Sequence, residues 1–140
     1  MDHLQLKLCD IQGRLFELSA RNDLDSSAFV QAFMHSRVAA ALDSSYNRLQ
    51  WAGEEYLLEE LMEEKKADLI SGGTIFDENM LYWIGYLYRY WHFSTGENSR
   101  VIYRQAPVLT MKRNYLMLHT ADPQIAIEDL KGIYHQKYTA

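Results

Sequence analysis

At 140 residues the chain has the size of one ordinary domain, and its formal net charge of −5 argues against a nonspecific polyanion binder. Hydrophobic residues make up 48% and charged residues 24%, ordinary for a globular protein that needs no disulfide or metal staple. Two prolines and seven glycines are too few turn residues for an all-β domain of this length.

Leu4, Leu8, Ile11, Leu15 and Leu18 alternate four- and three-residue spacings, which predicts a first helix over about 4–20. Asn22-Asp23 ends it. Asp25 or Ser26 caps a short second helix carrying Phe29, Val30, Phe33 and Met34, and Ser36 caps a third over about 37–42. Asp43-Ser44-Ser45 offers N-caps for a long helix over about 45–64, with stripes Leu49-Gly53-Leu57-Leu61 and Trp51-Leu58-Met62. Ser71-Gly72-Gly73 is the clearest break, followed by a turn and a brief extended stretch at 74–76.

Asp77 caps the segment 79–93, which is apolar or aromatic almost all round a helical wheel. Such a helix belongs at the buried centre of a bundle, and about 15 residues are too few to span a membrane. A loop at 95–98, a helix over about 99–105 and a helix from Pro107 to about Leu118 follow. Asp122-Pro123 then reads as N-cap and first turn of the last helix, which presents Ile125, Ile127, Leu130, Ile133 and Tyr134. The expected fold is all-α: one domain over 1–140, an irregular or orthogonal bundle of about six to eight helices around the buried aromatic helix. Gly53 and Gly85 fall inside predicted helices, where each costs about 1 kcal/mol relative to alanine. A close approach of the two central helices at these glycines would compensate.

Three groups of residues raise the question of chemistry. Arg89 and His92 share a helix face with Tyr82 and Gly85. An arginine on so apolar a helix needs a carboxylate or several carbonyls. The pattern fits either a ligand-binding pocket for an anionic or nucleotide-like molecule, or a structural ion pair with Glu54 or Glu55 of the neighbouring helix.

Arg113 and His119 are the candidate catalytic pair, an arginine with a histidine a few positions on. They loosely resemble the motif of the HEPN ribonuclease family, whose members cleave RNA by general acid–base chemistry and anion stabilisation. Their six-residue separation is about 240° on an ideal helix, which sets them on different faces. The acidic run Glu54, Glu55, Glu59, Glu60, Glu63, Glu64 has no histidine at metal-ligand spacing and reads as a solvated face or an acidic docking surface.

No metal and no cofactor is expected. The single cysteine, Cys9, lies beside the apolar face of the first helix and reads as a packed, inert thiol. The opening Met1-Asp2-His3-Leu4-Gln5 has neither a basic region nor a long apolar run, so the expected location is cytoplasmic, with no membrane and no nucleic acid as partner.

Leu42 to Arg48 running into Gln50 to Leu61, then Tyr88 to Glu97, then His119 to Pro123 resemble a family of small uncharacterised helical bacterial proteins, found mainly in Gram-positive species. Genes of that family often sit beside genes for toxin-like ADP-ribosyltransferases. The resemblance covers most of the chain and transfers no functional residue. It implies a bacterial cytosolic protein in a toxin–antitoxin or defence context. The function expected is a non-enzymatic protein-interaction module that binds a partner protein through exposed aromatic and acidic surface. The alternative is a helical enzyme, a HEPN-like ribonuclease or a nucleotide-handling pocket around Arg89 and His92.

Overall fold

The computed structural model describes residues 1–139, of which the last two are described in backbone only. Eight α-helices follow in chain order: α1 His3–Arg21, α2 Ser26–Met34, α3 Arg37–Asp43, α4 Glu54–Glu64, α5 Glu78–Thr95, α6 Ser99–Gln105, α7 Val108–Leu118 and α8 Pro123–Thr139. No strand forms among the described residues, so the protein is an all-α bundle. One hydrophobic cluster draws side chains from all eight helices.

The helix starts follow capping chemistry. Asp2 and Gln5 close a capping box at α1, with Gln5 N donating to Asp2 Oδ1 at 2.8 Å and Asp2 N to Gln5 Oε1 at 3.2 Å. Asp25, Ser36, Asp77 and Asn98 each accept from a first-turn amide of α2, α3, α5 and α6. Gly96 at φ 79° ends α5 in the left-handed conformation that glycine takes at no steric cost.

The long helix expected over 45–64 is instead two pieces. Asn47 is extended and its side chain accepts from Leu49 N, starting a single 3₁₀ turn, Arg48–Trp51. Ala52 and Gly53 are extended again, and α4 begins at Glu54. Glu54 and Glu55 then occupy its first turn, where the helix dipole favours negative charge. Gly53 is therefore an N-cap and takes no part in a helix crossing. The extended stretch at 74–76 pairs with no strand; the segment before it makes one isolated bridge, Leu24 to Ser71. Asp25 and Ser26 then fix it: Thr74 N donates to Asp25 Oδ1 at 2.9 Å and Phe76 N to Ser26 Oγ at 2.8 Å.

The central pair is α5 against α1. At Gly85 an added Cβ would stand 2.6 Å from the Gln12 carbonyl oxygen and 2.8 Å from the Phe16 ring. At Gly13 it would stand 2.7 Å from the Tyr82 ring. Gly85 thus approaches α1 at Gln12 and Phe16, and Gly13 of α1 approaches α5 at Tyr82. Close contact explains why Cys9, Gln12, Gly13 and Phe16 are buried beside Leu8, Ile11 and Leu15, a wider face than one stripe. Phe16 in turn meets Phe29 and Phe33 edge-on at 5.2 and 5.3 Å between ring centroids. On α5, Leu81, Ile84, Leu87, Tyr88 and Trp91 are fully enclosed, while Tyr82, Trp83, Tyr86 and Tyr90 are half-buried.

Two substitutions separate packing from helix propensity. Gly85→Ala must overpack the α1–α5 contact and is expected to cost about 1–3 kcal/mol. Gly132→Ala, in α8 where an added Cβ meets nothing within 4 Å, is expected to stabilise by about 0.5–1 kcal/mol. Urea unfolding of both variants against the parent measures the difference.

Candidate functional site

Arg89 is buried to 1% exposure at the centre of a polar knot. Its Nε donates to Gln12 Oε1 at 2.8 Å, its NH1 to Asp43 Oδ1 at 2.6 Å and its NH2 to Ser99 Oγ at 3.5 Å. Asp43 also accepts from Ser99 N on Oδ2 and from Ser99 Oγ on Oδ1, both at 2.9 Å. Gln12 Nε2 donates to the Gly85 carbonyl at 3.0 Å. Burial pulls the Arg89 guanidinium below its ordinary pKa, and the charge and hydrogen bond of Asp43 oppose that. The knot joins α1, α3, α5 and α6, and it spends the arginine on protein groups.

The ion pair expected for Arg89 is present, but its carboxylate is Asp43. Glu54 instead lines a groove of about 220 Å³ with Arg14, Glu17 and Arg21 of α1. His92 stands beside the knot, 3.7 Å from Asp43 Oδ1, and its Nδ1 meets the Glu97 carbonyl at 2.7 Å. A carbonyl only accepts, so that nitrogen carries the proton. Tyr82 lies elsewhere: its hydroxyl donates to Asp10 Oδ1 at 2.5 Å, and Arg14 Nε sits 3.0 Å from the other Asp10 oxygen. Burial raises the Tyr82 pKa, and the bond to Asp10 adds to the shift. Tyr82, Arg89, His92 and Glu54 therefore do not converge on one pocket.

Arg113 and His119 do not converge either. Arg113 is exposed on α7. His119 follows the end of α7, stacks on Tyr115 at 4.3 Å between centroids and meets the Tyr115 carbonyl through Nδ1 at 2.8 Å. It lines a groove of about 610 Å³ between α5, Tyr115 of α7 and the turn into α8, whose walls carry Tyr82, Trp83 and Tyr86. Arg113 does not line that groove. Cys9 is fully enclosed, and burial pushes its thiol up to about 12, so it stays protonated and unreactive at neutral pH.

A second polar centre forms on Glu97. Its Oε1 accepts from Trp91 Nε1 at 2.9 Å and Lys131 Nζ at 2.6 Å, and its Oε2 accepts from Gln105 Nε2 at 2.7 Å. It ties α5, α6 and α8 together. Burial alone would raise this carboxyl, but the bonds from Lys131, Trp91, Gln105 and Thr95 outweigh it and hold it down at about 2.

Exposed aromatic surface gathers between α3 and α4. Tyr46, just before the 3₁₀ turn, is 81% exposed, and Trp51, its last residue, 65%. Tyr56 follows in the first turn of α4. Along α4 the exposed face continues as Glu55, Tyr56, Glu59, Met62 and Glu63, at helical spacing. Of the acidic run, Glu55, Glu59 and Glu63 thus form a solvated face interrupted by Tyr56 and Met62, whereas Glu54, Glu60 and Glu64 are half-buried and Glu64 accepts from Arg37 N at 2.7 Å. The chain matches no family model, no curated protein and no solved structure at a significant level.

Asp43→Ala leaves Arg89 buried with its charge uncompensated, and the expected loss is about 3–5 kcal/mol in chemical unfolding. Glu97 supplies a pH test. Its folded pKa lies below the ordinary value of 4.5, so its contribution is complete above 4.5 and disappears as pH falls toward about 2. The melting temperature of the parent should drop through that window more than that of Glu97→Gln.

Proposed function

We propose that the protein is a non-enzymatic interaction module that docks a basic partner protein on the surface running from Tyr46 to Glu63. The carrying observation is that Tyr46, Trp51 and Tyr56 stay exposed and continue into an acidic helix face, although the domain has already enclosed large rings in its core. Exposed aromatic side chains flanked by charge are what anchor an interface, and the carboxylates favour a partner of opposite sign. The resemblance to bacterial proteins encoded beside toxin-like ADP-ribosyltransferases makes a co-encoded toxin the partner to try first. No helix among the described residues is long and apolar enough to cross a membrane. The ribonuclease alternative draws no support from the geometry, because Arg113 lies outside the groove that His119 lines.

The test is co-purification and calorimetric titration with the product of the neighbouring gene. A complex is expected, and Trp51→Ala should weaken it by about tenfold or more, the behaviour of an interface anchor. If the two proteins stay apart at micromolar concentration, the reading fails.

A further inference from the structure

The groove between α5, α7 and the α7–α8 turn shares no residue with the Tyr46–Glu63 surface, so it stands or falls on its own. Its volume of about 610 Å³ lies in the range of small-molecule sites. Tyr82, Trp83, Tyr86, Tyr115 and His119 furnish its aromatic lining. Their rings are held by one another: Tyr82 packs on Tyr86 at 5.9 Å, Trp83 meets Tyr115 edge-on at 5.6 Å, and Tyr115 stacks on His119. The Tyr82 hydroxyl is tied to Asp10, which fixes that wall from behind.

The charge around the groove restricts what it accepts. No lysine or arginine lines it. Arg14, behind the Tyr82 wall, is paired with Asp10, the same carboxylate that holds the Tyr82 hydroxyl. The protein as a whole is negative by five charges. A phosphate or carboxylate entering here would lose water and find no lysine or arginine to pair with. A flat ring with donors and acceptors on its edge gains stacking from the walls, and it finds hydrogen-bonding groups in Asn79 and His119. Because Nδ1 of His119 must carry the proton it gives to the Tyr115 carbonyl, Nε2 of the neutral ring is an acceptor. We infer that this groove binds a planar nitrogen heterocycle without an anionic group, of the nucleobase or nucleoside class.

The experiment titrates the full chain with adenosine, guanosine, cytidine and uridine, following the indole N–H resonance of Trp83, assigned from Trp83→Phe. In parallel each nucleoside is compared with its 5′-monophosphate. A saturable shift is expected with at least one nucleoside, with the matching monophosphate about tenfold weaker or more, since no lysine or arginine of the lining offsets its charge. Exposed His119→Ala should reduce the affinity while the circular dichroism of the fold is unchanged. Tyr115→Leu, which keeps an apolar wall but removes the ring, should reduce it further. The inference is overturned if no nucleoside shifts that resonance at about 10 mM, a concentration that would detect even millimolar binding. It is overturned equally if the monophosphate binds as tightly as its nucleoside, or if both variants, folded, bind like the parent.

Discussion

The closeness of α1 to α5 decides most of what this domain can be. Two glycines, Gly13 and Gly85, let the backbones approach until the Gln12 side chain reaches the Gly85 carbonyl. At that distance Gln12 also reaches Arg89, one turn further along α5. An arginine charge on a core helix is tolerable only when its donors are met, and the close crossing supplies one of the acceptors. Asp43 and Ser99 supply the rest from α3 and α6. The placement of four helices thus answers to one guanidinium.

Around that centre the protein divides its aromatic side chains into two populations. Phe16, Phe29, Phe33, Tyr88 and Trp91 are enclosed and hold the helices together, with the Tyr88 hydroxyl donating to the Ala106 carbonyl at 2.6 Å. Tyr82, Trp83, Tyr86 and Tyr115 are half-buried and wall a groove, while Tyr46 and Trp51 stand in solvent. Half-buried and exposed rings contribute less to the core than enclosed ones, although Trp83 still packs against it.

Helix positions were legible in the sequence wherever capping chemistry was local. Asp25, Ser36, Asp77, Gly96 and Asp122-Pro123 mark their boundaries because each acts within a few residues of itself. The 45–64 helix was misread because the stripes Leu49-Gly53-Leu57 and Trp51-Leu58 keep helical spacing even though Asn47 and Gly53 break the backbone. Asp43 is the instructive case. Read as a helix N-cap, it does accept from an N-terminal amide, but that amide is Ser99 of α6, 56 residues away. Its chemistry was visible and its target was not, since only tertiary packing brings α3 to α6. The need of Arg89 for a carboxylate was evident for the same chemical reason, and the choice among carboxylates was again tertiary. Gln12, alone among Leu8, Ile11 and Leu15, was the overlooked sign of a buried polar contact.

The groups that satisfy Arg89 are scattered along the chain at positions 12, 43 and 99. No contiguous fragment that ends before α6 holds them all. A nascent chain emerging in order would carry the guanidinium incompletely met until Ser99 has emerged, so the helices formed earlier have no finished interior to settle into. Such wiring favours late, concerted closure over stepwise addition of stable pieces. The bundle is in this sense closed by its second half, and its first four helices are components awaiting a fastener.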